Sequence, residues 1–132
     1  MGFLDRFSGQ LLSILRIVSA LLFLAHGTAK LFQFPATEMF TEPPEVGTLM
    51  WIAGAMEVAG GGLLLVGLLT RPVAFVLSGM MAVAYWMAHA PQGMHPILNG
   101  GELAIMFCFA FLYIAAAGGG PWALDAIMKR KG

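Results

Sequence analysis

Seven polar side chains interrupt stretches of this sequence that are otherwise apolar enough to cross a lipid bilayer. They comprise two cations, two histidines, one amide and two carboxylates: Arg16, His26, Lys30, Glu57, His89, Asn99 and Glu102. A charged group at the centre of a membrane helix costs about 2.5–3.5 kcal/mol on insertion scales, so such residues normally face the protein interior and pair. Together these groups could hydrogen-bond a polar ligand, pass protons, or form ion pairs that fix helix register.

Helix geometry predicts how deep these residues lie. His26 and Lys30 are four positions apart, which places them on one helical face. With a rise of about 1.5 Å per residue, His26 lies roughly 8 Å and Lys30 roughly 13 Å outward of the middle of the first helix, and Glu57 lies near the middle of the second. We therefore predict a ligand-binding polar pocket in the outer half of one bundle, lined by His26, Lys30, Glu57, His89, Asn99 and Glu102.

The charges within the apolar stretches also balance, because Arg16 and Lys30 oppose Glu57 and Glu102. We predict structural ion pairing for Arg16 and Glu57. Buried ion pairs are weak evidence for stability, since apolar replacements of the whole pair are often neutral or stabilising. A binding site explains the polar set more economically than helix register alone, and both interpretations stay open.

Four apolar stretches reach the length of about 20 residues that a membrane-spanning helix needs, at about 11–32, 48–69, 72–90 and 97–117. Only helices and closed barrels satisfy their backbone in lipid, and these stretches lack the alternation of barrel strands. Pro72 fits the first turn of the third helix, and the glycines before Pro121 end the fourth. The sequence predicts an all-α fold, an integral membrane four-helix bundle that forms a single transmembrane domain over residues 1–132.

Composition excludes several other classes of protein. Of 132 residues, 59% are apolar and 11% are charged, whereas soluble domains carry about 25% charged residues. A soluble fold of this size could not bury so much apolar surface, so the lipid bilayer is the expected partner. The net charge of zero argues against a nucleic-acid partner. The single cysteine, Cys108, excludes an intrachain disulfide and a thiolate zinc cluster.

Basic residues predict the orientation in the membrane, since they favour the cytoplasmic side. Arg6, Arg71 and the segment 129–131 carry the basic charge at the N-terminus, the second loop and the C-terminus. The loop at 33–47 carries three glutamates and no basic residue. We therefore predict a multi-pass protein of the cytoplasmic (inner) membrane with its N- and C-termini both cytoplasmic.

Two kinds of metal centre are conceivable from the histidines. A b-type haem could lie between His26 and His89, but nothing in the spacing enforces that geometry. Methionines around His89 and His95 could suggest copper, but methionine is a common filler of apolar cores. We predict no metal site and no covalent cofactor.

Five motifs, in this order and spacing, resemble the DoxX family of small membrane proteins over nearly the whole chain: Arg16…His26-Gly27-Xaa-Xaa-Lys30, Glu57-Xaa-Xaa-Gly60-Gly61, Gly67-Xaa-Xaa-Thr70-Arg71-Pro72, Asn99-Gly100-Gly101-Glu102, and Gly118-Gly119-Gly120-Pro121-Trp122-Ala123-Leu124-Asp125. The family often has Ser where Ala123 stands. Its name comes from a subunit of an archaeal thiosulfate:quinone oxidoreductase. The resemblance implies a four-helix membrane protein with a quinone- or redox-linked role; the thiosulfate activity itself is not carried over.

Three functions follow as hypotheses. The first is a membrane subunit of a redox complex with a quinone as its cofactor, in which His26 or Lys30 donates to a carbonyl and Glu57 or Glu102 relays protons. Its partners would be other membrane or redox subunits, or a second copy in a homo-oligomer, and any enzymatic role would be that of a quinone-binding or non-catalytic subunit. The second is binding or transport of a small solute, lipid or ion, and the third is a structural or assembly subunit.

Overall fold

The computed structural model describes residues 2–131, apart from the side chain of Lys131. The two ends of the predicted 1–132 domain and the Lys131 side chain lie outside the described residues. The helices are α1 (Gly2–Asp5), α2 (Ser8–Phe32), α3 (Leu49–Val66), α4 (Thr70–Ala84), a π-helical turn (Tyr85–His89), a 3₁₀ turn (Ala90–Gln92), α5 (Pro96–Asn99), α6 (Glu102–Ala117) and α7 (Leu124–Lys131). The described residues contain no strand, which confirms the predicted all-α class.

The surface of these helices is apolar, as lipid requires. Within residues 2–131, three helical stretches are long and apolar enough to cross a membrane: α2, α3 and the continuous helix Thr70–Gln92. The α6 helix is also apolar but has only 16 residues. Large apolar side chains point outward, with exposed fractions of 52% for Leu22, 64% for Phe75 and 63% for Phe109. Continuous apolar surface of this kind is unusual on a soluble monomer and is compatible with a membrane bundle.

The chain divides into two compact units. The first contains the residues up to Leu69 together with the segment from Gly119 onward. Within it α2 and α3 pack antiparallel, because Leu24 of α2 lies against Gly61 of α3 while Arg16, two turns earlier, bonds to the last turn of α3. Small residues on α3 allow this close approach, since van der Waals packing drives helix association in lipid.

Both ends of α3 are capped locally. Thr48 precedes the helix, and its Oγ1 accepts a hydrogen bond from the amide of Trp51 at 3.3 Å. At the other end Gly67 adopts a left-handed conformation with φ of 76°, which a residue with a side chain rarely adopts. The turn after Gly67 binds α7, since the amide of Asp125 donates to the Gly67 carbonyl at 2.9 Å.

The second unit, Thr70–Gly118, pairs α4 with α6. Ser78 of α4 donates a hydrogen bond to the carbonyl of Cys108 of α6 at 2.7 Å. Regular α-helix is interrupted at two places. Within 72–90 the helix continues through the π-helical turn Tyr85–His89, and within 97–117 the left-handed Gly100 (φ 75°) separates α5 from α6. The four membrane spans and their union in one domain remain predictions.

Candidate functional site

Lys30 of α2 and Glu57 of α3 form an ion pair. The ammonium Nζ donates to Glu57 Oε1, and the two side chains are exposed to 17% and 2% respectively. Both residues belong to the predicted pocket, and both lie in the first unit. A buried ion pair of this kind fixes the relative position of the two helices as much as it stabilises the fold, because the cost of desolvating both charges offsets much of their attraction.

Gly27 allows Glu57 to reach this position. A Cβ atom placed on Gly27 would lie 2.8 Å from the Cβ of Glu57 and 2.8 Å from the amide nitrogen of Val58. Any larger residue would therefore push α3 away from α2 at the level of the carboxylate. The His26-Gly27-Xaa-Xaa-Lys30 pattern thus combines a close helix contact with the cation that the contact brings to Glu57.

The second carboxylate oxygen of Glu57 is the unusual feature of the site. Oε2 is buried and has no hydrogen-bond partner among the described residues. A buried acceptor without a partner costs about 1–3 kcal/mol, more when charged, so native proteins seldom leave one unless it has a role. His26 lies near enough to interact with the Glu57 charge, while its Nδ1 lies 2.8 Å from the Leu22 carbonyl.

An aromatic ring from the α2–α3 connection lies over the cation. The Phe40 ring centroid is 5.8 Å from Lys30 Nζ, within the range of a cation–π contact. A turn sets the Phe40 backbone, since its amide donates to Thr37 Oγ1 at 3.1 Å. One face of the ion pair therefore meets an aromatic side chain.

Arg16 is not the partner of Glu57, although the sequence predicts ion pairing for both residues. Its guanidinium donates to three carbonyl oxygens: Gly119 at 2.9 Å, Leu64 at 2.7 Å and Leu65 at 2.6 Å. The reason is register, because the antiparallel packing sets Arg16 opposite the last turn of α3 and Lys30 opposite its middle. Arg16, only 1% exposed, therefore binds the negative end of the α3 dipole.

In the second unit, His89 and Asn99 are brought together. His89 Nδ1 lies 3.0 Å from the Asn99 carbonyl, and the imidazole stacks on Tyr85 with the ring centroids 6.4 Å apart. The Asn99 amide nitrogen donates to Tyr85 Oη at 3.2 Å and to the Gly93 carbonyl at 3.0 Å, while its Oδ1 accepts from the Gly101 amide at 2.8 Å. Asn99 therefore holds the π-helical turn, the loop and the start of α6.

Replacing Asn99 by alanine is expected to lower the free energy of unfolding by about 1–3 kcal/mol, because one buried amide and two part-buried polar groups lose a hydrogen bond from this side chain. Asn99 is only 3% exposed, so water cannot readily substitute. The measurement is the melting temperature of purified protein. Gln92→Ala is the matched control, since that exposed amide makes a single hydrogen bond, to the Ala88 carbonyl. Equal shifts in the two variants would contradict the role given to Asn99.

Glu102 stands apart from these contacts. It is exposed, and it begins α6, where a carboxylate interacts favourably with the helix dipole. With five neighbours it lines a shallow depression of about 430 Å³: Pro96, Ile97, Gly100, Leu103 and Met106.

The structure thus joins His26, Lys30 and Glu57 in one unit and His89 with Asn99 in the other; a pocket shared by all six remains a prediction.

No group of three or more His, Cys, Asp or Glu side chains within the described part of the chain could hold a metal ion. The chemistry available at the Lys30–Glu57 site is hydrogen bonding, charge stabilisation and proton transfer.

The motif order points to a known family, and comparison with family models decides the question. The DoxX model matches residues 11–90, which is more than half of the chain. The chain belongs to the DoxX family. The match includes Arg16, His26, Lys30, Glu57 and His89, while Asn99 and Glu102 lie beyond it. This DoxX protein is therefore a membrane protein.

Two relatives extend over nearly the whole DoxX chain. An uncharacterized protein of Haemophilus influenzae is 41% identical over 128 residues, covering 95% of this chain and 96% of its own. The inner membrane protein YqjF of Escherichia coli is 26% identical over 121 residues, covering 89% of this chain and 92% of its own. No solved structure matches.

The sequence did not reveal the side chains that hold the C-terminal segment of this DoxX protein against α2 and the end of α3 within the first unit. Ser13 Oγ donates to the Gly119 carbonyl and accepts from the Trp122 amide, both at 3.1 Å. Asp125 accepts from the Leu69 amide at 2.9 Å, and its charge interacts with Arg16. The sequence signal for these contacts is the last DoxX motif, Gly118 to Asp125. Its glycines and aspartate are distant from Arg16 in the sequence, so only the folded structure shows that they lie beside it.

Proposed function

We propose that this DoxX protein is a membrane subunit of a quinone- or redox-linked complex, and that the quinone head group binds at Lys30 and Glu57 beside His26. The partners in this proposal are other membrane or redox subunits, or a second copy of the chain. A partner subunit with its own redox centre exchanges electrons with the quinone.

The observation that carries the proposal is the unpaired oxygen of Glu57. Oε2 is buried, whereas Oε1 already holds the Lys30 ammonium. A carboxylate in this state accepts one more hydrogen bond, from a hydroxyl or amine that a ligand supplies. A hydroxyl of the reduced quinone is such a donor, and the lipid phase is where that molecule dissolves.

The side chains at the site suit one hydroxyl of such a head group. A quinone supplies two-electron, two-proton chemistry when it is bound. Glu57 would accept a hydrogen bond from a quinol hydroxyl at Oε2 and, as the redox centre of the partner subunit takes the two electrons, would take one of the two protons released. Lys30 at Oε1 favours the ionised carboxylate that accepts this hydrogen bond, and His26 interacts with the Glu57 charge. Such polar chains are typical of proton paths within membranes.

Phe40 supports a flat ligand rather than a small ion. Its ring lies at the Lys30 ammonium, with the centroid at 5.8 Å. A second ring placed beside it gains stacking of about 0.5–1.5 kcal/mol beyond the buried area.

The orientation and membrane are part of the same proposal. The basic residues Arg6, Arg71 and 129–131 favour cytoplasmic termini, which places Lys30 and the loop after it toward the periplasm. The Escherichia coli relative is named an inner membrane protein, which favours that membrane for this chain.

Titration of purified protein with a short-chain quinol tests the proposal, with affinity measured by calorimetry. Glu57→Gln is expected to weaken binding about tenfold or more, since a hydrogen bond to a charged group contributes about 1.5–3 kcal/mol. Glu42→Gln, which removes an exposed carboxylate from the α2–α3 loop, should leave the affinity unchanged. Wild-type protein that binds no quinol would overturn the proposal.

A structural subunit is the second candidate, and Arg16 is the observation that favours it. In the same unit, that buried cation is satisfied by backbone carbonyls and serves helix packing. The Lys30–Glu57 pair could fix register in the same way. Wild-type protein that binds no quinol, with complex assembly lost in Lys30→Met and restored in Lys30→Met/Glu57→Met, would favour this candidate.

A further inference from the structure

Helix α7 and Trp122, two residues before it, present a surface that is both apolar and basic. Four large apolar side chains on it are exposed to between 36% and 55%, and two basic side chains beside them are also exposed: Trp122, Leu124, Ile127, Met128, Lys129 and Arg130. We call these six residues the α7 surface. In α7 the three apolar positions follow i, i+3, i+4 spacing, which aligns them on one helical face.

Hydrogen bonds attach the α7 surface to α2 and to the turn after α3 within the first unit. The Trp122 amide donates to Ser13 Oγ of α2 at 3.1 Å. The amide of Asp125 donates to the Gly67 carbonyl, and its carboxylate accepts from the Leu69 amide, both at 2.9 Å. These contacts fix α7 at the C-terminal end of α3, a helix long and apolar enough to cross the membrane. The surface therefore lies where that helix leaves the hydrocarbon.

One basic group, the Arg130 guanidinium, folds back toward the start of the segment that carries the exposed Trp122. Arg130 donates to the Pro121 carbonyl at 3.0 Å, which folds its guanidinium back toward the residue before Trp122. The segment 124–131 carries three basic residues against one acidic residue, and the carboxylate of that acidic residue, Asp125, is engaged by the Leu69 amide. The surface thus presents positive charge next to an aromatic ring at a helix end.

We propose that the α7 surface binds anionic phospholipids, with the phosphate groups at Lys129 and Arg130 and the acyl chains against Leu124, Ile127 and Met128. Three features match this partner. Basic residues near a membrane attract anionic head groups, tryptophan prefers the interface, and an amphipathic helix buries its apolar face at the acyl boundary. An acidic soluble protein would satisfy the charges but would not need the apolar row. The proposal does not depend on a quinone site.

Lipid binding by the full-length protein is the test, with affinities for short-chain phosphatidylglycerol and phosphatidylcholine compared by native mass spectrometry. Wild-type protein is expected to prefer phosphatidylglycerol. Each basic residue near the surface contributes about fivefold, so Lys129→Gln/Arg130→Gln should reduce that preference by roughly tenfold or more. The charge-preserving control, Lys129→Arg/Arg130→Lys, should retain it.

A second variant separates charge from apolar contact. Ile127→Gln/Met128→Gln should weaken binding of both lipids while the ratio of their affinities stays constant. A wild-type protein without a preference for phosphatidylglycerol, or a preference that survives Lys129→Gln/Arg130→Gln, would overturn the proposal. If that variant does not fold, salt decides on wild-type protein. Raising the ionic strength from about 0.05 M to about 0.5 M should weaken the preference, and a salt-independent preference would refute it.

Discussion

Replacing Arg16 by methionine is expected to destabilise the protein by about 2–5 kcal/mol. The guanidinium donates to Gly119, Leu64 and Leu65 at distances of 2.6–2.9 Å and is 1% exposed. Methionine has similar length but no donor, so three carbonyl oxygens lose the hydrogen bond from the guanidinium. Within the described part of the chain, Gly119 then retains only the bond from Ser13 Oγ and Leu64 only that from the Gly67 amide. The measurement is the free energy of unfolding in detergent.

Arg71→Met is the matched control. Arg71 also donates to carbonyl oxygens at the end of a helix, those of Ala115 and Ala116, but it is exposed. Water can replace its hydrogen bonds, so the variant should lose no more than about 1 kcal/mol. Arg16→Lys should fall between the two, because an ammonium lacks the planar fork that reaches several acceptors. If Arg16→Met were as stable as Arg71→Met, the carbonyl contacts would not be what holds the end of α3.

Lys30→Met is expected to destabilise the protein by about 3–5 kcal/mol, and more than Glu57→Gln does. Without Lys30 the Glu57 carboxylate, 2% exposed, becomes an uncompensated buried charge. Without the Glu57 charge, by contrast, Lys30 retains 17% exposure and can extend its ammonium toward the lipid head groups or water. The measurement is the unfolding free energy of both single variants under identical conditions.

The double variant Lys30→Met/Glu57→Met provides the control. It should recover part of the stability lost in Lys30→Met, because replacing a whole buried ion pair by apolar groups is often neutral or stabilising. If stability recovers while quinol binding is lost, the pair serves ligand binding rather than packing. If Glu57→Gln lowered the free energy of unfolding more than Lys30→Met does, the expectation that the more deeply buried charge is the costlier one to leave unpaired would be wrong.

The helical class and the apolar surface could be predicted because they depend on composition and run length alone. Residues such as Leu22 and Phe109 lie within long apolar stretches, and the structure exposes them. The π-helical turn Tyr85–His89 could not be predicted, because it depends on a hydrogen-bond pattern that no residue type requires. Gly100 offered a signal, since a glycine before another glycine marks a turn.

Part of the candidate site could be predicted from the free-energy cost of burying charged side chains. Lys30 and Glu57 both belong to the predicted pocket, and the structure pairs them. The partner of Arg16 was not predictable, because its acceptors are backbone carbonyls that occur in every sequence. Phe40 was equally hidden, since a loop residue approaches Lys30 only through the fold of residues 33–48. Sequence thus shows which side chains need a partner, and the helix register decides which partner each one finds.

An experimental density map of the purified protein with added short-chain quinol tests whether the head group binds at Lys30 and Glu57. We expect a ring-shaped ligand beside Phe40 with a hydroxyl at hydrogen-bond distance, about 2.5–3.0 Å, from Glu57 Oε2. A map in which another protein group bonds Oε2, or in which the quinol lies away from Lys30 and Glu57, would contradict it.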